Sequence, residues 1–465
     1  ISTALALTEG GLPSTVVPFV IHSFSVRGNT LKSVKVGICG LGTVGSGTLN
    51  LLQHNAQLIN PRANCEIAVT QVGARRDNPS CDTSALQVSR DIFDVAKNPD
   101  IDIVVELIGG TTVARDLVMT ALDHGKHVVT ANKALIAEHG MEIFAHAEKC
   151  NLIVAYEAAV AGGIPIIKGL REGLAGNRIN WMAGIINGTT NFILSEMDSK
   201  GREFADVLTE AQGKGYAEAD PTFDVEGIDA AHKLVIMASL AFGIPLDSSK
   251  VFTDGITKLA PQDVANAREM GYAVKHLGIA RQTDKGIELR VHPTLVPKKC
   301  LIAGVDGVLN AVMVNADAVG TTLFYGPGAG AAPTASSVVA DIIDIARVMN
   351  NDPQSWVPAL GVPISAVAAR DILDIQEVET SFYMRFSALD RPGVLSTVTR
   401  IMADAGISIE AISQKEQPAT EEYVDVIILT NVTYEESLDA AVEHIEQLET
   451  VRGQVSFIRV EHLDQ

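Results

Sequence analysis

The sequence lacks an excess of positive charge, and this excludes two common kinds of partner. Its 465 residues include 36 Lys and Arg against 56 Asp and Glu, a formal net charge of −20. Such a chain repels the phosphates of nucleic acids and of anionic membranes, so we expect neither as the main partner. No uninterrupted apolar run reaches the roughly 18 residues that a membrane-spanning helix needs, so no segment is expected to cross a membrane.

Cysteine is also scarce and irregularly placed. The chain has five cysteines, an odd number, with no Cys-x-x-Cys spacing. This pattern is typical of a reducing compartment, and we expect a cytoplasmic protein without a structural zinc site. With 47% hydrophobic and 20% charged residues, the composition is that of a globular protein. A chain of 465 residues is expected to form two or three domains.

The first 30 residues lack the features of a targeting segment. They do not begin with Met, and no basic stretch precedes their apolar part, which makes them a poor secretory signal. Their Ser and Thr content faintly resembles a transit peptide, but basic residues are scarce. We expect a disordered extension over residues 1–30, with the native protein beginning near Leu31. A mature end at Ile1, found by N-terminal sequencing, would contradict this expectation.

A glycine motif follows the first apolar run. Residues Val34 to Cys39 predict a buried parallel strand, and a helical pattern follows through Leu49 and Leu52. Between them lies G-x-G-x-x-G, formed by Gly40, Leu41, Gly42, Thr43, Val44 and Gly45. Strand, glycines and helix in this order predict a dinucleotide site, with the pyrophosphate at the helix N-terminus.

The end of the next predicted strand bears on the choice of cofactor. The strand covers residues Ile67 to Val72 and leads into Gly73, Ala74, Arg75 and Arg76. An NAD-specific site usually has Asp or Glu here to bind the ribose 2′-hydroxyl, whereas arginines favour a 2′-phosphate. We therefore favour NADP, with NAD as the alternative. Solvated surface arginines remain a third interpretation.

Three further predicted strands end in segments that suit a ligand site. Asp102 to Ile108 leads to Thr111 and Thr112, and His127 to Thr130 leads to Lys133. The carboxyl ends of parallel strands are where a cofactor is expected. A surface position is the alternative for Lys133. The fifth strand, Leu152 to Tyr156, leads to a Gly-rich bend over residues 157–165, which either wraps a small cation with its carbonyls or forms a hinge.

The densest group of acidic residues lies between Gly215 and Lys233. The segment contains Glu218, Asp220, Asp224, Glu226 and Asp229. From Ile228 onward, apolar residues recur at helical spacing through Phe242, so we predict a mostly buried helix. Asp229 and Lys233, four residues apart, lie on one face near its start. One interpretation is a solvated ion pair. The other is a buried lysine with partners, suited to holding an amino group and moving a proton.

The remainder of the chain predicts a second sheet and a small C-terminal domain. Strands are expected over about 179–186, 274–280, 287–296, 308–315 and 318–325, and the turn at Asn187 is expected to cap the following helix. A long helix, Thr334 to Met349, is expected to return to the nucleotide domain, and residues 350–376 are expected to be a linker. From residue 377 the predicted order is βαββαβ, a ferredoxin-like domain.

With these motifs, the chain resembles the homoserine dehydrogenases of the monofunctional bacterial type from Lys32 to its end. The resemblance rests on GICGLGTVG, GGTT, TANKALIA, YEAAVAGGIPII, NGTTNFIL, GYAEADPTFDVEGIDAAHK and YGPGAGAAPTASSVV, and DRPGVLSTVTRIMADAGISI resembles an ACT domain. It implies an α/β fold with a Rossmann NAD(P)-binding domain (31–165, with the return helix 326–349), an α+β substrate and dimerisation domain (166–325) and a ferredoxin-like ACT regulatory domain (377–465).

The same resemblance implies roles for individual residues. Lys233, Lys133 and Asp229 fall on catalytic positions, and Glu218, Asp224, Asp229 and Lys233 fall on substrate-binding positions. Lys133, Gly328 and Gly330 fall on cofactor-binding positions. The backbone carbonyls of Glu157, Val160, Gly162 and Ile164 fall on a structural sodium site.

The implied reaction is the reversible interconversion of L-aspartate 4-semialdehyde and L-homoserine with NADP or NAD, in a homodimer or homotetramer. Threonine is the implied effector. Two alternatives remain at this point: another NAD(P)-dependent oxidoreductase on the same scaffold, and a non-catalytic amino-acid sensor.

Overall fold

The computed structural model describes residues 32–414 and 422–463, so the predicted extension over 1–30 lies outside the described residues. The first unit is a six-stranded parallel sheet with helices on both faces. Its strands are β1 (Ser33–Cys39), β2 (Glu66–Gly73), β3 (Gln87–Ser89), β4 (Ile103–Glu106), β5 (His127–Thr130) and β6 (Val154–Ala155). Its helices are α1 (Thr43–His54), α2 (Ala56–Ala63), α3 (Ile92–Lys97), α4 (Thr112–Asp123) and α5 (Lys133–Cys150).

The strand order of this sheet is β3-β2-β1-β4-β5-β6, which confirms the predicted Rossmann arrangement. The order reverses between β1 and β4, the point at which ligands bind in such sheets. The inner strands are apolar because both faces are covered: Val36, Ile38 and Val105 are fully buried.

The second unit follows in chain order and contains the predicted buried helix. Its elements are α6 (Ile166–Lys168), β7 (Ile179–Ile185), α7 (Gly188–Lys200), α8 (Phe204–Gly213), α9 (Thr222–Val225), α10 (Ile228–Phe242), β8 (Phe252–Thr253), α11 (Pro261–Glu269), β9 (Tyr272–Gln282), β10 (Ile287–Pro297), β11 (Leu309–Ala316), β12 (Gly320–Pro327) and α12 (Ala331–Val348). The bounds of α10 confirm the helix predicted from its apolar spacing. Helix α12 packs its Val338, Ile342 and Ile345 into the same core as β1.

The C-terminal unit has the predicted βαββαβ order. Its elements are β13 (Glu379–Leu389), α13 (Val394–Asp404), β14 (Ile409–Gln414), β15 (Tyr423–Thr430), β16 (Thr433–Tyr434), α14 (Glu435–Glu446) and β17 (Val451–Val460). The strand order β17-β13-β15-β14 is that of a ferredoxin-like sheet, with the short β16 paired to β13.

The second and third units share one sheet, which the sequence did not predict. Strand β10 pairs with β17 in parallel through Thr294–Arg459 and Leu295–Val460, giving an eleven-stranded sheet. The junction also carries buried polar contacts. Arg290 contacts Glu461 at 2.5 Å, and the Tyr383 hydroxyl donates to Asp263 on α11 at 2.8 Å. These contacts attach the C-terminal unit to the strands and helices of the second unit.

The segment predicted as a linker is packed against the body of the protein. Leu360 is fully buried, and the Trp356 indole donates to the carbonyl of Val348 at 2.9 Å. The backbone of Ile287 exchanges hydrogen bonds with Asp371 and Leu373. The domain boundaries given above stay predictions. No helix within the described part of the chain is both long and apolar enough to span a membrane.

Candidate active site

A cleft of about 870 Å³ opens at the carboxyl ends of the first sheet. We call it the first-sheet cleft. Its lining includes these residues of the predicted cofactor site: Gly40, Leu41, Gly42, Arg75, Arg76, Thr111 and Thr112. Thr43, Val44 and Gly45 form the first turn of α1 beside it. The lining does not include Lys133, Gly328 or Gly330.

The glycine motif shapes this cleft for a close ligand. A Cβ on Gly45 would lie 1.9 Å from the carbonyl oxygen of Gly40, so only glycine allows α1 to approach the strand. A Cβ on Gly42 would meet no protein atom within 4 Å, so the room above this residue is open to a ligand. The protein thus leaves space where the helix N-terminus presents its free N–H groups, and this arrangement fits a pyrophosphate.

Two exposed arginines face the cleft at the end of β2. Arg75 and Arg76 both line it, as does Asp77. The Asp77 carboxylate accepts a hydrogen bond from Arg90 at 2.7 Å. The Asp77 carboxylate is exposed and keeps free acceptor positions for a ribose 2′-hydroxyl, while the two arginines can pair with a 2′-phosphate.

A buried network fixes the loop on the opposite side of the cleft. Glu106, fully buried at the end of β4, accepts from the backbone N–H of Ile108 at 2.9 Å and from the Thr130 hydroxyl at 2.5 Å. Burial raises the pKa of Glu106. Asn132 donates to the carbonyl of Gly110 at 2.6 Å and caps α5 through Leu135 N–H. Lys133, the next residue, is thereby held beside the loop that lines the cleft.

Lys133 and Lys233 share the carboxylate of Asp229. Lys133 Nζ lies 2.8 Å from Oδ1, and Lys233 Nζ lies 2.7 Å from Oδ2. Lys233 also donates to the carbonyl of Ile186 at 2.8 Å. Side-chain exposure is 4% for Asp229, 12% for Lys233 and 34% for Lys133. The Asp229–Lys233 pair is therefore buried and has a second cation, so the solvated-pair interpretation is wrong.

The pKa values of the two lysines are shifted in opposite directions. Burial lowers the pKa of Lys233, and the neighbouring Lys133 lowers it further against the opposing Asp229. Burial alone would lower the pKa of Lys133 too, but the carboxylates of Asp229, Asp224 and Glu218 outweigh burial and raise it. The two cations hold the pKa of the buried Asp229 carboxyl far below its usual range. Groups whose pKa values are pushed apart in this way divide acid and base roles between them.

Asn187 brings Asp224 into this group. Its Nδ2 donates to Asp224 Oδ1 at 2.8 Å and to Asp229 Oδ2 at 2.9 Å, while its Oδ1 accepts from Thr190 N–H at 2.8 Å. Burial raises the pKa of Asp224 and the Asn187 hydrogen bond lowers it. We refer to Lys133, Asp224, Asp229 and Lys233 as the lysine–carboxylate cluster.

The other acidic residues of the segment lie apart from this cluster. Asp220 is exposed and accepts from the N–H and hydroxyl of Thr222. Glu226 accepts from the Thr257 hydroxyl at 2.9 Å. Glu218 is exposed and acts on Lys133 through its charge. Gly227, with φ +85°, redirects the backbone between α9 and α10, and Asp224 of α9 joins the cluster through Asn187.

The Gly-rich bend after β6 has the positive φ angles of a tight turn, 53° at Ala161 and 46° at Gly162. The Gly162 carbonyl accepts from the Ser337 hydroxyl at 2.7 Å, and the Ile164 carbonyl accepts from Ile166 N–H at 2.8 Å. Each carbonyl oxygen retains a second lone pair, so these bonds are compatible with a cation. Gly328 packs against this bend, since a Cβ on Gly162 would lie 2.4 Å from its carbonyl oxygen.

Sequence reasoning missed three residues of the site. Glu106 and Asn132 have no local pattern that distinguishes them from ordinary core and capping residues. The sequence predicts Asn187 only as a helix cap, and the structure confirms that it is one. Its two contacts to the acidic segment come from tertiary packing, and no spacing in the sequence signals them.

Three stretches of the chain match known protein families. Residues 165–343 match the family described as "Homoserine dehydrogenase", and residues 40–157 match "Homoserine dehydrogenase, NAD binding domain". Residues 382–450 match "ACT domain".

Similar proteins cover nearly the whole chain. A homoserine dehydrogenase of Pseudomonas aeruginosa is 60% identical over 434 residues, which is 93% of this chain and all of that protein. The crystal structure of a homoserine dehydrogenase from Thiobacillus denitrificans is 55% identical, with a TM-score of 0.87, covering 92% of this chain and 98% of its own. A hyperthermophilic archaeal homoserine dehydrogenase in complex with NADPH is 25% identical, with a TM-score of 0.58, covering 69% of this chain and 99% of its own.

Proposed function

The chain belongs to the homoserine dehydrogenase family, and on that premise we propose that the lysine–carboxylate cluster reversibly converts L-aspartate 4-semialdehyde to L-homoserine. One observation carries the proposal: two lysines with opposite pKa shifts share the buried carboxylate of Asp229. The cluster lies next to the loop that lines the first-sheet cleft. A proton donor and a cofactor cleft are thus placed together.

Lys233 is the proposed proton donor. A nicotinamide cofactor, when bound, supplies the hydride that reduces the aldehyde carbon. The carbonyl oxygen then gains an electron pair and takes a proton from Lys233 Nζ, which becomes neutral. Because burial weakens the hold of Lys233 on its proton, it is the better acid of the two lysines. In the reverse direction, neutral Lys233 takes the proton from the homoserine hydroxyl.

The other members of the cluster hold the substrate and orient the two lysines. Lys133 keeps its positive charge because carboxylates outweigh its burial, so it is placed to attract the substrate oxygen without giving up a proton. Asp224 and the exposed Glu218 are the proposed partners of the substrate ammonium group. Asp229 is already paired with both lysines and orients them.

NADP is the proposed cofactor. Arg75 and Arg76 line the cleft, where their guanidinium groups can pair with a 2′-phosphate. Thr111 and Thr112 stand at the opposite wall, and Gly328 and Gly330 lie on the loop before α12. A neighbour of similar fold is described as a complex with NADPH.

Replacing Arg75 with Ala is expected to raise the KM for NADPH by about tenfold and to change the KM for NADH little. The guanidinium can pair with a 2′-phosphate, which NADH does not have. Steady-state kinetics with each cofactor measure the two values. Arg62→Ala, on the exposed end of α2, is the matched control. Equal effects of Arg75→Ala on the KM values for both cofactors would contradict the proposal that Arg75 binds the 2′-phosphate.

We also propose a structural sodium ion at the bend after β6. Within residues 32–414 and 422–463, no group of three or more His, Cys, Asp or Glu side chains is placed to hold a metal. The ligands would be the backbone carbonyls of Glu157, Val160, Gly162 and Ile164. The ion would fix the connection between the first and second units and take no part in catalysis.

The C-terminal unit is the proposed regulatory part. An ACT domain implies an amino-acid effector, and we propose threonine, with the enzyme serving threonine, methionine and isoleucine biosynthesis in the cytoplasm. The shared sheet and the Tyr383–Asp263 contact offer a path from this unit to the second unit. We further propose a homodimer or homotetramer.

The function is tested by NADPH oxidation with aspartate semialdehyde beside other small carbonyl compounds, each with and without threonine. Preferential use of aspartate semialdehyde, with homoserine as product, supports the proposal. Faster reduction of another carbonyl would favour a different oxidoreductase on this scaffold. Absence of turnover with every substrate would favour a sensor.

A further inference from the structure

Asn187 is a buried residue whose side-chain amide makes hydrogen bonds through both its nitrogen and its oxygen. Its Nδ2 group donates to Asp224 and Asp229, and its Oδ1 accepts from Thr190 N–H. The orientation of the amide is fixed by these partners, because only the NH₂ group can face two carboxylates and only the oxygen can face an N–H. Only 4% of the residue is exposed, so water does not readily replace these contacts.

The amide separates two negative charges that would otherwise repel each other. Asp224 and Asp229 both contact Nδ2, and the charge of Asp229 raises the pKa of Asp224. Asp229 Oδ2 also accepts from Lys233 Nζ. Asn187 therefore contacts the same oxygen as the proposed proton donor, and the adjacent carbonyl of Ile186 binds the same ammonium group.

The charged groups around Asp224 and Asp229 come from three segments of the chain. Helix α5 contributes Lys133, the loop before α9 contributes Glu218, and α10 contributes Lys233 and His232, on which the charge of Glu138 also acts. Burial lowers the pKa of His232, which favours its neutral form. Among these described neighbours, Asn187 is a neutral group that donates to both Asp224 and Asp229.

We propose that Asn187 is a positioning residue for the reaction, which holds Asp224 toward the substrate ammonium and fixes Asp229 against Lys233 Nζ. The inference rests on the proposed function and deepens it. It assigns to Asn187 a role beyond helix capping, exerted through two carboxylates and without direct chemistry.

The test uses two substitutions that keep the cap but remove the paired donors. Ser and Asp cap helices about as well as Asn, so Asn187→Ser and Asn187→Asp are both expected to keep α7 in place. Asn187→Asp has no donor when ionised and adds a third carboxylate. Asn187→Ser keeps at most one short donor and adds no charge.

We expect Asn187→Ser to lower kcat/KM for aspartate semialdehyde about 10- to 100-fold and Asn187→Asp to lower it more, with the KM for NADPH within about twofold of wild type. Asp224 must be ionised to bind the substrate, so kcat/KM rises with pH through its pKa. Loss of the amide donors raises that pKa, and the acidic limb of the profile therefore moves to higher pH. The measurement is the pH dependence of kcat/KM for each variant.

The control is a cap remote from the site. Asp374 accepts from Gln376 N–H at the start of a short helix, so Asp374→Ala is expected to lower the melting temperature and leave the pH profile unchanged. If Asn187→Ser keeps the wild-type acidic limb and substrate KM, Asn187 is only a cap and the inference fails, whatever Asn187→Asp does. An inactive wild-type enzyme would instead contradict the proposed function.

Discussion

Replacing Lys233 with Ala is expected to lower kcat by about 10²- to 10⁴-fold, the range typical for loss of a general acid. Lys233 Nζ is held by Asp229 and the Ile186 carbonyl, and its burial makes it the more acidic of the two lysines. The pKa of Lys133 is raised by the neighbouring carboxylates, so we expect that it does not replace Lys233 as the donor. Cofactor binding should persist, because Lys233 is absent from the lining of the first-sheet cleft.

The measurement is kcat with aspartate semialdehyde, together with NADPH binding by fluorescence. Lys214→Ala is the matched control, since Lys214 lies just before the acidic segment and pairs with Glu210 at the surface. It is expected to behave like wild type. A kcat of Lys233→Ala close to that of wild type would contradict the assignment of Lys233 as proton donor.

Replacing Asp229 with Asn is expected to damage both activity and stability. The two lysines would lose the carboxylate they share, and removal of one partner from a buried ion pair costs about 3–5 kcal/mol. The pKa of Lys233 would then fall further, because burial and the charge of Lys133 would act without opposition from Asp229. At neutral pH a larger fraction of Lys233 would lack the proton it must donate.

The pH dependence makes this prediction specific. A group whose pKa is lowered regains its proton as the pH falls, so reduction by Asp229→Asn should recover in part at lower pH. The melting temperature and kcat across pH give the two readouts. Asp220→Asn, a change of the same kind in an exposed residue of the same segment, is expected to alter neither. A stable Asp229→Asn enzyme with a wild-type profile would contradict the shared-carboxylate arrangement.

Local sequence patterns predicted most of the elements well. The strand His127–Thr130 has the predicted bounds, as does Tyr423–Thr430, because both are rich in the β-branched residues that favour strands. The helix from Ile228 was predicted from residues that recur along one face. The glycine motif marked the cofactor cleft because the tight turn and the approach of α1 both need glycine at fixed spacing.

Contacts between distant segments could not be predicted in the same way. Thr294 and Arg459 pair across the junction of β10 and β17, and the sequence of neither strand indicates which strand it pairs with. The five acidic residues form one group in the sequence, yet only Asp224 and Asp229 enter the cluster through Asn187, while Asp220 stays at the surface. Asn187 contacts Asp224 and Asp229 only in the folded chain, because these residues are distant from it in the sequence.

The central claim is that Lys233 gives up the proton in one direction and takes it in the other. The most direct test is the pH dependence of kcat for the wild-type enzyme, measured for aspartate semialdehyde reduction and for homoserine oxidation. Because the pKa of Lys233 is lowered, reduction should decline and oxidation should rise with increasing pH, each through a pKa below the usual value for lysine. Limbs that run in the same direction, or a pKa at or above the usual lysine value in either reaction, would contradict the account.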